Sequence, residues 1–132
     1  MSRRLWKYRI TDILDSVKKI QNYVDEMEFD DFHKDEKTID AVIRNFIVIG
    51  EAARHVPDDI SAKYPNIPWQ VMGDMRNFAV HEYWGVELST IWKTIRDDLP
   101  PLVPSLNRVI DSEKDQEGWR LFKWILIPLN GF

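Results

Sequence analysis

The chain has 132 residues, of which 44% are hydrophobic and 30% are charged, and its formal net charge is −4 at pH 7. This length and composition predict one soluble globular domain, and the acidic balance argues against indiscriminate nucleic-acid binding, which usually needs a basic surplus. The absence of cysteine excludes disulfides, thiolate catalysis and cysteine-based zinc sites. The three histidines are scattered, at His33, His55 and His81, so we expect no metal and no cofactor.

Nothing in the sequence suggests a membrane protein. The charged N-terminal residues are not followed by an apolar run, and no segment approaches the roughly 18 apolar residues that a membrane span needs. We therefore expect a cytoplasmic protein without membrane contact.

Two long amphipathic helices are predicted in the first half of the chain. Apolar residues recur at three- and four-residue steps from Arg3 to about Met27, and again from about Asp35 to Val56. The acidic stretch from Asp25 to Asp31 is expected to be a solvated connector. Asp31 or Asp35 can cap the second helix.

The second helix has a centre that is almost free of charge, which predicts burial on more than one face. Gly50 would let a neighbouring helix come close, and Pro57 ends the helix because it lacks an N–H donor. Arg44, Glu51 and Arg54 have two interpretations. They neighbour a functional site, or they form ion pairs at a helix interface, which is the interpretation that we favour.

Two further long helices are predicted after a short one from Asp58 to Tyr64. The first begins at Pro68 and ends at Gly85, with four residues expected to pack inward: Trp69, Val71, Met72 and Met75. The next spans about Glu87 to Leu99. Prolines 100, 101 and 104 are expected to break or kink it, and a last turn or two would reach Ile110.

The predicted helical domain covers residues 1–111, and a charged linker and an apolar tail cover residues 112–132. The tail from Trp119 to Phe132 is too apolar to be free, because eight residues between Trp119 and Leu129 are large and apolar: Trp119, Leu121, Phe122, Trp124, Ile125, Leu126, Ile127 and Leu129. The tail either covers a partner surface or is a non-native extension.

The stretch from Met75 to Val86 gathers the groups that a phosphate-directed reaction needs: a fixed cation, an amide and an imidazole that titrates near neutral pH. On a helix, Asn77 and His81 share a stripe one turn apart, and Arg76 and Tyr83 lie only about 20° apart. Arg76 and His81 lie about 140° apart on adjoining flanks. A long Arg side chain lets the two converge on one anion.

An Arg and a His at this spacing are more often a solvated Arg and a satisfied His, so Arg-x4-His alone is weak. The longer string, with Asn77, Tyr83 and Trp84-Gly85-Val86, resembles the HEPN superfamily and in particular the HepT-like toxins, which carry Arg-x4-His-x-Tyr. Glu82 departs from the pattern, because many relatives have Gly there. The resemblance covers about residues 5–110 and rests also on four segments in the expected order: Arg44–Arg54, Pro65–Trp69, Ile91–Ile95 and Asp98–Leu102.

This resemblance implies an all-α antiparallel bundle of four to five helices with a metal-independent endoribonuclease activity. The RNA 2′-hydroxyl would attack its own phosphate. His81 suits proton transfer, Arg76 suits stabilisation of the phosphorane charge, and Asn77 suits orientation of His81 or the phosphate. Since the chain is acidic, RNA would be met by local cations: Arg76, Arg44, Arg54 and Lys63.

The resemblance also implies two protein partners. One His cannot act as base and acid in a single step, and the family pairs two motifs across a homodimer into one composite site. The second partner is an MNT-type nucleotidyltransferase antitoxin that adds AMP to the motif tyrosine, which is Tyr83 here. The added phosphate would repel RNA and occupy Arg76. The alternative is that Tyr83 is an ordinary interface residue whose hydroxyl finds a partner.

Two other functions remain open. A non-catalytic dimeric module would bind a nucleotide or the antitoxin through the Arg–His pair, which the net acidity and Glu82 favour. A purely structural helical partner for the nucleotidyltransferase is favoured by the apolar tail. Loss of RNA cleavage on changing His81 would exclude both, and loss of nucleotide binding on changing Arg76 would separate the first from the second.

Overall fold

The computed structural model describes residues 5–85 and 87–113, except for the side chains of Phe78 and residues 81–85. Within these ranges all regular secondary structure is helical, which confirms the predicted all-α class. The predicted tail lies outside the described residues, and the division at residue 111 stays a prediction. In chain order the helices are α1 (Leu5–Tyr23), α2 (Phe29–Lys34), α3 (Glu36–Arg54), α4 (Asp58–Lys63), α5 (Trp69–Gly85), α6 (Leu88–Lys93) and, after a π-helical turn at Thr94–Asp98, α7 over residues 99–113.

The central helix of the bundle is α3, which packs against both α1 and α5. Seven residues form its predicted apolar side, of which Ile47 is half-buried and six are at most 7% exposed: Ile39, Val42, Ile43, Phe46, Ile49 and Ala53. Asn45, Gly50 and Ala52 are buried as well. Such burial is expected of a helix that is covered on more than one face, as the low charge of its centre predicts.

The helices α3 and α5 approach each other closely at Gly50. A Cβ atom added there would lie 2.6 Å from the backbone nitrogen of Arg76 and 2.7 Å from its Cβ, so the contact needs glycine. A Cβ atom added at Gly73 would lie 3.4 Å from Cγ of Arg54. Gly50 of α3 therefore lies near Arg76 of α5, whereas Arg54, later on α3, lies near Gly73, earlier on α5. This order shows that the two helices run antiparallel. The predicted role of Gly50 is confirmed.

The acidic stretch after α1 is not simply a solvated connector, because part of it belongs to a short helix, α2. At the start of α2 the backbone N–H of Glu28 donates to Oδ2 of Asp31 at 2.9 Å. Phe32 is fully buried, and its ring centroid lies 5.1 Å from that of Trp92. A six-residue helix with one buried side chain shows no repeat, so periodicity could not predict it.

The predicted cap of α3 is found at Asp35. Its carboxylate accepts hydrogen bonds from the backbone N–H of Thr38 at 3.1 Å and from the Thr38 hydroxyl at 2.8 Å. The backbone bond, followed by the hydroxyl bond, lowers the pKa of Asp35. The carboxylate therefore satisfies one of the free N–H groups in the first turn of the helix.

The prolines do not break the last helix. In a regular helix, a proline ring crowds the carbonyl of the residue four positions earlier. For Pro100 and Pro101 these residues are Arg96 and Asp97, and both lie in the π-helical turn. This wider turn accommodates the rings and the missing N–H donors. Of the predicted break or kink, the break therefore does not occur and the kink stays a prediction; α7 passes Ile110 with four residues buried along it: Leu99, Leu102, Leu106 and Val109.

Candidate active site

The motif lies on α5, as predicted. Arg76 is half-buried and Asn77 is exposed. Val71 is 53% exposed, so its predicted inward position is wrong; it lies about 100° around the helix from Met72, which is buried. The core-facing side of α5 includes three residues at most 4% exposed: Met72, Met75 and Ala79.

Arg76 is held from α3 through both its backbone and its side chain. Its backbone lies against Gly50, and its Nε forms a close ion pair with Oε1 of Glu51. Both charged side chains remain 43% exposed. Two consecutive residues of α3 therefore fix the position of Arg76, and its guanidinium still reaches solvent.

His81 and Tyr83 also lie on α5, five and seven residues after Arg76. Asn77 precedes His81 by one helical turn, so the predicted spacing along the helix is present. The side chains of His81 and Tyr83 lie outside the described part of the chain. Proton transfer by His81, orientation by Asn77 and AMP addition to Tyr83 therefore stay predictions.

The three charged residues of α3 that have two interpretations, Arg44, Glu51 and Arg54, have different surroundings. Glu51 forms an ion pair across the α3–α5 interface, as the favoured interpretation predicts, and its partner is the motif arginine itself. The side chain of Arg54 lies beside Gly73, one turn before Arg76 on α5. Arg44 is exposed and lines a cleft. The sequence placed these residues on one helix but could not identify their partners.

A mostly polar cleft of about 280 Å³ lies between α1 and α3. Arg44 and Val48 line the cleft and lie on the same face of α3 as Glu51. The cleft therefore lies beside the face of α3 that contacts Arg76. Helical periodicity does not reveal this cleft, although two polar residues at buried positions, Ser16 and Asn45, were a signal of it. The other lining residues are Asp12, Asp15, Lys19, Tyr23 and Ala41.

Lys63, one of the cations proposed to meet RNA, has another partner. Its Nζ lies 2.7 Å from Oε1 of Glu113, and the hydroxyl of Tyr64 donates to the same oxygen at 2.8 Å. Burial and the bond to Glu113 raise the pKa of Tyr64. Burial also raises the pKa of Glu113, but the hydrogen bonds from Lys63 and Tyr64 outweigh it and leave this pKa lowered. The cluster joins the end of α4 to α7.

The described residues contain neither a candidate metal site nor a candidate membrane span. Among them, no group of three or more His, Asp or Glu side chains is placed to hold a metal ion. None of the helices that they form is long and apolar enough to cross a bilayer.

The helical fold and the motif on α5 define an all-α protein with an Arg-x4-His site, and its family follows from comparison with known proteins. The sequence model of the ribonuclease HepT-like family matches residues 13–109. The chain therefore belongs to the HepT-like ribonuclease family. No solved structure matches the chain.

Three relatives illustrate the similarity. The chain is 39% identical over 107 residues to a Methanocaldococcus jannaschii protein that has a provisional RNase name. The match covers 81% of this chain and 86% of the M. jannaschii protein. It is 39% identical over 100 residues to the probable ribonuclease HepT of Thermococcus cleftensis, covering 76% and 91% of the two chains. A second M. jannaschii protein with a provisional RNase name is 36% identical over 118 residues, covering 89% and 95%.

Proposed function

We propose that the protein is a metal-independent endoribonuclease toxin whose catalytic groups are Arg76 and His81. Membership of the HepT-like ribonuclease family supports RNA cleavage as the class of reaction. The observation that carries the assignment to this site is the position of Arg76. It is fixed at the α3–α5 crossing, reaches solvent, and lies on the same helix as His81.

The proposed reaction uses the 2′-hydroxyl of RNA as the nucleophile. His81 transfers the proton, because an imidazole exchanges protons near neutral pH. Arg76 stabilises the charge that accumulates on the phosphorane, because a guanidinium stays protonated and offers several N–H donors to phosphate oxygens. Asn77, exposed and one turn before His81, orients the imidazole or the phosphate. The products are a 2′,3′-cyclic phosphate and a free 5′-hydroxyl.

The proposed active form is a homodimer in which two motifs form one site. A second His81 would supply the acid that a single imidazole cannot provide in the same step. Exposed apolar side chains near Arg76 support a protein contact there: Val80, one turn after it, is 41% exposed, and Val48, three residues before Glu51 on α3, is 37% exposed. A two-fold interface would present the same surface twice and bring both motifs together.

The proposed regulator is an MNT-type nucleotidyltransferase antitoxin that adds AMP to Tyr83. The family resemblance supports this partner. Tyr83 follows Arg76 by seven residues on α5, which places the two close to one helical face. A phosphate on Tyr83 would therefore compete with RNA for Arg76 and inhibit cleavage without unfolding the protein.

The second candidate function is a non-catalytic dimeric module that binds a nucleotide or the antitoxin. The Arg76–Glu51 ion pair favours it, because a carboxylate beside the guanidinium opposes the approach of RNA. The net charge of −4 acts in the same direction.

The test is cleavage of a fluorophore-labelled RNA panel in EDTA by the wild-type protein and by Arg76→Ala. Arg108→Ala is the matched control, because Arg108 is exposed on α7. We expect cyclic phosphate ends from the wild type and the control, and a loss of at least about 100-fold in Arg76→Ala. Retained nucleotide binding by a wild-type dimer that never cuts RNA would instead support the binding module.

A further inference from the structure

The Gly50–Glu51 pair of α3 contacts Arg76 at two levels. Gly50 lets the α5 backbone come close enough that an added Cβ would overlap Arg76, and the next residue, Glu51, binds the Arg76 side chain. This arrangement places the carboxylate on the guanidinium nitrogen nearest the aliphatic stem. The helix crossing and the ion pair therefore act on the same residue.

The atom that Glu51 contacts matters for the chemistry. A guanidinium has five N–H donors, one on Nε and two on each terminal nitrogen. The ion pair joins Oε1 of Glu51 to Nε. A carboxylate at Nε can hold the plane of the guanidinium while a terminal nitrogen remains to donate to a phosphate oxygen.

Stability alone does not account for this contact. Both side chains are 43% exposed, and ion pairs this accessible to solvent contribute little to folding. A carboxylate at this position also lowers the local affinity for RNA. Its benefit must then lie in the geometry of Arg76.

We propose that Glu51 is a positioning residue that orients the guanidinium of Arg76 for the charged phosphorane. This inference rests on the proposed ribonuclease function. Loss of the carboxylate leaves Arg76 with its charge but without a fixed orientation. Because a small displacement of a catalytic group has a large effect on the rate of the chemical step, the loss appears in kcat. KM changes little or falls, because a negative charge has been removed from the RNA-binding surface.

The experiment measures kcat and KM for RNA cleavage in Glu51→Ala, Glu51→Gln and Glu51→Asp, with wild type and Arg76→Ala alongside. Glu36→Gln is the matched control, because Glu36 is exposed in the first turn of the same helix. We expect kcat of Glu51→Ala to fall roughly 10- to 100-fold. Glu51→Gln should recover part of this loss, because its amide oxygen occupies the same position and can accept a hydrogen bond from the guanidinium, and Glu51→Asp should recover less, because its side chain is shorter.

A second measurement follows the contact directly. The Nε–Hε NMR signal of Arg76, assigned by its loss in Arg76→Lys, should shift in Glu51→Ala and stay in place in Glu36→Gln. If Glu51→Ala does not fold, the same NMR measurement on Glu51→Gln still tests the proposal, because glutamine preserves the shape of the side chain.

The outcomes separate the positioning role from the proposed function. A wild-type protein that cuts RNA, with an unchanged or increased kcat in Glu51→Ala, overturns the positioning role and leaves the ribonuclease proposal standing. An unchanged Arg76 signal in Glu51→Ala also overturns it. A wild-type protein that does not cut RNA overturns the ribonuclease function and the role that depends on it. A change confined to KM assigns Glu51 to RNA binding and contradicts positioning.

Discussion

One ion pair joins α4 to α7 and another joins α5 to α3, and these two pairs differ in their surroundings. The Lys63–Glu113 pair links the end of α4 to α7; its Lys63 side chain is 43% exposed, but the Glu113 side chain is only 13% exposed and accepts a second bond from Tyr64. The Arg76–Glu51 pair links α5 to α3, and both side chains are 43% exposed. A partly buried carboxylate with two donors stabilises the fold, whereas an exposed pair contributes little. The first pair is therefore assigned to stability and the second to the site.

The largest expected effect comes from breaking the helix crossing beneath Arg76. Gly50→Ala places a Cβ 2.6 Å from the Arg76 backbone nitrogen, and backbone cannot move aside as a side chain does. We expect the free energy of unfolding to fall by about 2 kcal/mol or more, with loss of the Arg76–Glu51 contact. Urea denaturation and RNA cleavage measure the two effects.

Gly73→Ala is the matched control, because its Cβ would meet only the side chain of Arg54 at 3.4 Å. The gain in helix propensity should leave this variant unchanged or stabilise it by up to about 1 kcal/mol. Equal destabilisation by the two substitutions would show that the close approach at Gly50 has no special importance.

The next effect concerns the Lys63–Glu113 pair. Glu113→Ala leaves the Tyr64 hydroxyl and the Lys63 ammonium without their common acceptor. We expect a loss of about 1–2 kcal/mol in the free energy of unfolding, without a change in kcat. Asp111→Ala is the control, since Asp111 is exposed on the same helix. A large loss of kcat in Glu113→Ala at unchanged stability would contradict the assignment of the Lys63–Glu113 pair to stability.

The pH dependence of stability sharpens the role of Glu113. Burial raises its pKa, but the hydrogen bonds from Lys63 and Tyr64 lower the pKa by a larger amount, so that it lies below the usual 4.5. A carboxylate with a lowered folded-state pKa stabilises the fold above its unfolded-state pKa, and this contribution is lost as pH falls through the folded-state pKa. The stability difference between wild type and Glu113→Gln should therefore hold near neutral pH and shrink below about pH 4.5. A difference that persists unchanged at pH 3 contradicts this account.

The smallest stability effect is expected at Glu51. Because the pair with Arg76 is exposed, Glu51→Gln should change the free energy of unfolding by less than about 1 kcal/mol. The same variant should reduce kcat. Thermal unfolding and cleavage assays on one preparation provide the comparison. A destabilisation equal to that of Glu113→Ala would make the two ion pairs alike.

The sequence predicted the helices whose apolar residues recur at a helical period. It also predicted the positions where one residue type is needed, at a helix cap and at a close helix contact. Periodicity located α1 and α3, Pro68 and Gly85 marked the ends of α5, the Asp35 side chain identified a cap, and Gly50 identified a close approach. Residues without a repeat were harder, because α2 depends on the single buried ring of Phe32. The continuation past Pro100 depends on a π-helical turn that no sequence pattern announced.

The site was predictable only along its own helix. Residue spacing placed Arg76, Asn77, His81 and Tyr83 on α5, because helical geometry fixes angles within one helix. The partner of Arg76 depends on how α5 crosses α3, and periodicity carries no information about which residues meet at a crossing. Glu51 was therefore recognised as a charged interface residue before its partner could be identified.

The central claim is tested most directly by the single-turnover rate of RNA cleavage in EDTA for wild type, His81→Ala and the control His33→Ala. His33 is exposed on α2 and bonds the carbonyl of Asp30 at 2.9 Å. The account predicts equal rates and cyclic phosphate ends for wild type and His33→Ala, and a rate at least about 100-fold lower for His81→Ala. Equal rates for all three proteins, or wild-type cleavage that stops in EDTA, would contradict it.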